Sequence, residues 1–138
     1  MAKAIYFDMD GTIANLYACE NWLERLRAED ATPYATAQTM LNMSLLARYI
    51  HKAQAQGYII GIVSWLSKES SADYDKAVAQ AKNDWLKKHL PSVVFDEIHI
   101  VPHSTPKASV VNVKGGVLFD DEQQNRTEWQ GLALAPQD

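Results

Sequence analysis

Cysteine is almost absent: Cys19 stands alone among 138 residues. One thiol cannot close an internal disulfide, so a packed core must hold the chain together, and the expected setting is a reducing cytoplasm. Cys19 has no activating neighbour in sequence and reads as an ordinary thiol. No apolar run approaches the ~20 residues of a membrane span. The N-terminus lacks the basic, apolar and cleavage regions of a secretory signal and leads straight into a strand. An excess of positive charge is also missing. Thirteen Lys and Arg face 17 Asp and Glu, the formal net charge is −4, and the basic residues are scattered. Bulk binding to nucleic acid or to an anionic membrane is therefore not expected, although a specific nucleic-acid substrate stays open. There is no internal repeat, low-complexity stretch or second domain. What the chain does have is 47% hydrophobic residues, enough for one core over residues 1–138.

Those residues come in short apolar runs separated by helical patterns. Ala4 to Phe7, Tyr58 to Val63, Glu97 to Val101, Val117 to Phe119 and Leu132 to Ala135 read as five strands. Runs of this kind suit strands buried on both faces. Helices are expected from Asn42 to Gln56, from Asp73 to Leu90, after Thr105-Pro106 with Thr105 as cap, and from Glu122 to Gln130. This alternation predicts an α/β fold: a doubly wound, five-stranded parallel sheet.

Residues 15–41 exceed a minimal connection. Glu20 to Arg27 suits a short amphipathic helix with Trp22, Leu23 and Leu26 on one face, and Asp30 to Pro33 then breaks the chain. An insertion leaving directly after the first strand's polar loop is placed to act as a small helical lid.

That loop, Asp8-Met9-Asp10-Gly11-Thr12, carries two carboxylates two residues apart at the end of a buried strand. Such a pair is costly unless a cation or a reaction uses it. In an open parallel sheet, sites form outside the C-terminal strand ends. Ser64 ends the second strand, Asp120-Asp121 ends the fourth, and Lys107 stands in the first turn after the third. This set matches the needs of phosphoryl transfer through a carboxylate nucleophile. Hard oxygens can hold Mg²⁺, a lysine and a hydroxyl can bind phosphoryl oxygens, and a second carboxyl can protonate the leaving group. Gly11 allows a sharp turn after the strand.

The order Asp-x-Asp-Gly-Thr, Ser, Lys, Asp-Asp resembles the four motifs of the haloacid dehalogenase-like (HAD) phosphohydrolases, across residues 8 to 121. The resemblance implies a HAD-like Rossmannoid fold and hydrolysis of a phosphate monoester through an aspartyl phosphate. It implies Asp8 as nucleophile and Asp10 as general acid/base, with the Asp10 carbonyl also on Mg²⁺. Ser64 and Lys107 become phosphoryl ligands, and Asp120 and Asp121 complete the metal set. The carboxyl at position 10 argues for phosphate esters over halides, since a halide leaves without a proton. The stretch Leu118 to Glu122, with Asn125 and Trp129-Gln130-Gly131, is similar to the 5′(3′)-deoxyribonucleotidase branch, which implies a nucleotide substrate.

Gly11, Thr12 and Trp65 are further substrate-binding candidates, Trp65 as a ring that could stack a base. Asn125 and Arg126 are placed to brace the metal loop. Lys114 is a weaker rival to Lys107, because it precedes its strand. His99 and His103 straddle a strand and a proline, so helical ligand spacing does not apply to them. A polynucleotide-end or phosphoprotein phosphatase is the second enzymatic reading. From other classes come a phospho-receiver domain, whose acidic pair comes first rather than last, and a catalytically silent binding domain.

Overall fold

The computed structural model describes residues 3–68 and 70–137. Along the chain come β1 (Lys3–Phe7), β2 (Ala14–Asn15), a 3-10 turn at Leu16–Ala18, α1 (Trp22–Arg27), α2 (Thr32–Thr36) and β3 (Gln38–Thr39). They are followed by α3 (Met43–Ala55), β4 (Tyr58–Trp65), α4 (Ala72–His89), β5 (Glu97–Val101), α5 (Lys107–Val110), β6 (Val117–Phe119), α6 (Gln123–Glu128) and β7 (Ala133–Leu134).

Five strands form one sheet in the order β5-β4-β1-β6-β7, and each adjacent pair is parallel. Counting only this sheet's strands along the chain, the order is 3-2-1-4-5. Winding therefore reverses between β1 and β6, and the crevice at such a reversal is where open α/β sheets bind ligands. A phospho-receiver sheet runs 2-1-3-4-5, so the topology is not that of the signalling rival. Phe7 pairs with Phe119 in register. The next residues, Asp8 and Asp120, thus emerge side by side at the reversal.

Strand alternation sends residues to two layers. Ile60 and Ile62 pack under α3 and α4 with Ile50, Trp85, Leu86 and Leu90. Tyr6, Val63 and Leu118 pack on the opposite face with Val111 and Trp129. Ser64 follows the parity of Ile60 and Ile62, which puts it on the α4 side. Asn42 caps α3 by accepting from the Leu45 amide, and Ser71 caps α4 by accepting from the Tyr74 amide. An apolar cleft of about 300 Å³ between α3 and the sheet, lined by Ile5, Phe7, Leu46, Ile50 and Phe119, carries no charged side chain. Among the described residues no helix is long and apolar enough to cross a membrane.

Local details depart from the sequence expectations. β4 runs on through Ser64 to Trp65, because Ser64 and Trp65 pair with Ile100 and Val101. Thr105 is not a helix cap: Pro106 takes that position, and the Thr105 carbonyl accepts from the Trp65 indole N–H at 2.7 Å. Asp30 to Pro33 starts a helix instead of ending order. The Asp30 carboxylate accepts from the Thr32 amide and hydroxyl, and Pro33 sits in the first turn of α2. The insertion has its own neck, the antiparallel pairs Ala14 with Thr39 and Asn15 with Gln38. Beyond it, Leu16 and Tyr34 bury themselves against Tyr74, Val78 and Ala81 of α4, with Trp22 and Leu26 packed alongside.

Candidate active site

The strand register brings the predicted residues together. Asp8 is 6% exposed and Asp120 is fully buried. Lys107 Nζ donates to Asp8 Oδ1 at 2.8 Å and to Asp120 Oδ2 at 2.6 Å. Burial works against the Lys107 ammonium, but Asp8 and Asp120 overcome it and hold its pKa above the ordinary lysine value. The Thr12 hydroxyl donates to the other Asp8 oxygen at 3.0 Å. The backbone turns after β1 through Gly11 at φ +82°, and a Cβ there would collide with the Asp121 carboxylate and the Tyr17 ring. Glycine at this position thus lets Asp121 close over the loop.

The second acidic loop is braced from α6. The Glu122 amide donates to Asp120 Oδ1, Asn125 Nδ2 donates to Asp120 Oδ2 at 3.1 Å, and Arg126 donates to the Asp120 carbonyl at 2.9 Å. The bracing expected of Asn125 and Arg126 is therefore present. Lys114, the rival lysine, is exposed and donates to the Ala108 carbonyl instead. His99 pairs with Glu97, whereas His103 packs on Trp65, so the two imidazoles serve different neighbours.

Asp8, Asp120 and Asp121 each offer an oxygen, and these oxygens lie within 4.8 Å of one another. Asp121 Oδ1 is buried with no hydrogen-bond partner. Three hard carboxylates, one with an orphaned oxygen, suit Mg²⁺. The Asp10 side chain lies outside this group; toward a metal, the resemblance gives Asp10 only its backbone carbonyl.

Without a cation these carboxylates crowd one another. Burial, Asp8 and Asp120 push the Asp121 carboxyl up from 3.8 to about 8. A raised carboxyl favours the protonated folded state, so this contribution to stability is fully present below pH 3.8 and is lost as pH rises through about 8. A Mg²⁺ ion bound by this group would take the place of that proton. In EDTA the melting temperature should therefore fall across this window, and Mg²⁺ should stabilise more as pH rises while releasing protons below about pH 8. Asp121→Asn should flatten the slope. A metal-free melting temperature that is level across the window, or indifference to Mg²⁺, would contradict the assignment.

Asp10 has a separate environment. Its side chain keeps 17% of its exposure and lines a cavity of about 360 Å³ with Asp8, Lys107 and Asp121. Burial raises its pKa, Lys82 opposes the rise, and Asp8 adds to it. Lys82, on α4, is the residue that sequence reasoning missed. It is 1% exposed, and its Nζ donates to Asp10 Oδ2 at 3.0 Å, to Ser64 Oγ at 2.6 Å and to the Trp65 carbonyl at 2.8 Å. Its signal was a charge inside an apolar stripe: Val78 lies four residues before it and Trp85 three after, both buried.

The cavity wall is aromatic on two sides. Tyr17, Trp22 and Tyr34 come from the insertion, and Trp65 and His103 come from the strand ends. Trp65 covers the Lys107 ammonium, with Nζ 5.4 Å from its ring.

No family model matches this chain, and no curated protein matches it. Among solved structures it is similar to the D,D-heptose 1,7-bisphosphate phosphatase of Burkholderia thailandensis. The TM-score is 0.55 at 17% identity, over 91% of this chain and 70% of the other. At that identity the likeness concerns the fold, and the fold of this chain is a HAD-like Rossmannoid one.

Proposed function

We propose that this chain is a Mg²⁺-dependent HAD-type phosphohydrolase that cleaves phosphate monoesters through an aspartyl phosphate on Asp8. The observation that carries the reading is the meeting of Asp8, Lys107, Asp120 and Asp121 at the winding reversal of the sheet. The resemblance in motif order and the fold of the neighbouring phosphatase support it.

An Asp8 oxygen attacks phosphorus, and the bond to the ester oxygen breaks. Asp10 gives that oxygen a proton as it leaves. Water then attacks the phosphorus of the acyl phosphate while Asp10 takes its proton, releasing phosphate and restoring Asp8. Lys107 keeps positive charge beside Asp8, which lowers the repulsion met by an approaching phosphate. Asp8, Asp120 and Asp121, with the Asp10 carbonyl, would hold a Mg²⁺ ion, which would supply further charge neutralisation.

A ring-bearing leaving group suits the aromatic walls of the cavity, so a nucleoside monophosphate is the substrate class we favour. The single free thiol, half-buried Cys19, suits a cytoplasmic setting. Turnover of p-nitrophenyl phosphate that requires Mg²⁺ and stops in EDTA tests the activity. A screen across nucleotides, sugar phosphates, phosphopeptides and 3′-phosphorylated oligonucleotides tests the class. Inactivity on all of them would point to a silent binding domain.

The insertion at 15–41 acts in this reading as a lid. Trp22, half-buried on α1, packs edge-on to Tyr17 at 5.0 Å and lines the cavity. Trp22→Ala should shift the ranking of substrates and leave Mg²⁺ stabilisation intact. Its stability cost should fall well below the ~3–5 kcal/mol of a core tryptophan such as Trp85. Unchanged ranking together with a core-sized loss would make α1 a packing element.

A further inference from the structure

The buried lysine on α4 belongs to neither acidic loop. An ammonium in the interior is costly unless every donor is used. Here all three donors are used, and each goes to a strand end at the site: the Asp10 carboxylate, the Ser64 hydroxyl and the Trp65 carbonyl. The Tyr34 ring of the insertion covers the same ammonium, with Nζ 5.2 Å from its centre. Lys82 therefore ties the loop after β1 to the end of β4, beneath the inserted segment.

The division of oxygens on Asp10 is the informative part. Oδ2 is held by Lys82, and among the described residues no protein group bonds Oδ1. The carboxylate lines the cavity, held by its one bond to Lys82. Ser64 Oγ must accept from an ammonium that can only donate, which fixes the other side of the bridge.

We propose that Lys82 is a positioning residue that clamps Asp10 by one oxygen and presents the other to the leaving group. This rests on the phosphohydrolase reading, in which Asp10 protonates the departing oxygen. A clamp on Asp10 matters where that proton matters, so its loss should be felt by basic leaving groups and hardly by activated ones.

The test compares wild type, K82M, D10N and the double variant on an alkyl phosphate and on p-nitrophenyl phosphate, with Mg²⁺ present. In single turnover, K82M should slow release of the leaving group from the alkyl ester roughly ten- to a hundredfold and from the aryl ester only about threefold or less. The double variant should fall within about threefold of D10N alone, because both changes strike one function. Equal losses on the two esters, or losses that multiply in the double variant, would overturn the clamp. Where K82M does not fold, K82Q keeps a polar head in the buried site but removes the ammonium, and it should give the same selective loss at smaller size. A K82Q loss that is equal on both esters counts against the proposal in the same way. A wild type inactive on every ester overturns the phosphohydrolase reading and the clamp with it. An active wild type with an indiscriminate K82M overturns the clamp alone.

Discussion

Asp8→Asn should fold, bind a phosphate ester and fail to turn it over, with kcat reduced by a factor on the order of 10⁴–10⁶. The amide keeps the size of the side chain: its oxygen can still accept from Lys107, and its NH2 can donate to the Thr12 hydroxyl, which now donates to the other Asp8 oxygen. It loses the nucleophile and one charge of the three-carboxylate group. The effect on stability should have the opposite sign. Burial, and next the Asp8 charge, raise the pKa of both Asp120 and Asp121, so part of the cost of the metal-free site is like-charge repulsion from Asp8. Removing the Asp8 charge should leave the melting temperature in EDTA unchanged or higher, and should shrink the stabilisation by Mg²⁺. Single-turnover acid quench with ³²P-labelled ester should trap labelled protein from the wild type and none from Asp8→Asn. Activity retained within tenfold would remove Asp8 from the nucleophile's place.

The acidic centre was legible in the sequence because each of its residues directly follows or closely succeeds a strand. A run such as Val117 to Phe119 ending in Asp120 states both the burial of the strand and the exit of the charge. The register of Phe7 with Phe119 then makes Asp8 and Asp120 meet without long-range information beyond strand order. Lys107 was legible for the same reason. Lys82 was not, since a lysine in a helix is usually solvated, and only tertiary packing reveals that α4 turns it inward. The 30–33 segment was misread because Asp and Pro are signals for both a break and a helix start; the Asp30 bonds to Thr32 decide between them. Thr105 failed as a cap through competition. Its carbonyl is taken by the Trp65 indole, and Pro106, fixed near φ −58°, assumes the boundary position.

Asp10→Asn should separate substrates by the basicity of what leaves. Asp10 sits apart from the three-carboxylate group, held at Oδ2 by Lys82 and open to the cavity. Burial and the neighbouring Asp8 raise its pKa against the pull of Lys82, and a carboxyl so placed can carry a proton to a departing alkoxide. The asparagine oxygen can still accept from Lys82, though without the ion pair, so the bridge to Ser64 persists and the main loss is that of the transferable proton. An alkyl phosphate, whose alkoxide cannot leave unprotonated, should slow roughly 10²–10⁴-fold. An activated aryl phosphate departs as a stable phenolate and should lose about tenfold or less in the first step. Its hydrolysis then becomes limited by breakdown of the acyl phosphate, which also needs Asp10 to take a proton from water. The aryl ester should therefore show a burst of phenolate equal to the enzyme concentration, followed by slow turnover. A burst with Asp10→Asn and none with Asp8→Asn would place the two carboxylates on successive steps of one reaction. Equal slowing of both esters, with no burst, would mean that Asp10 is there to shape the loop and not to move the proton.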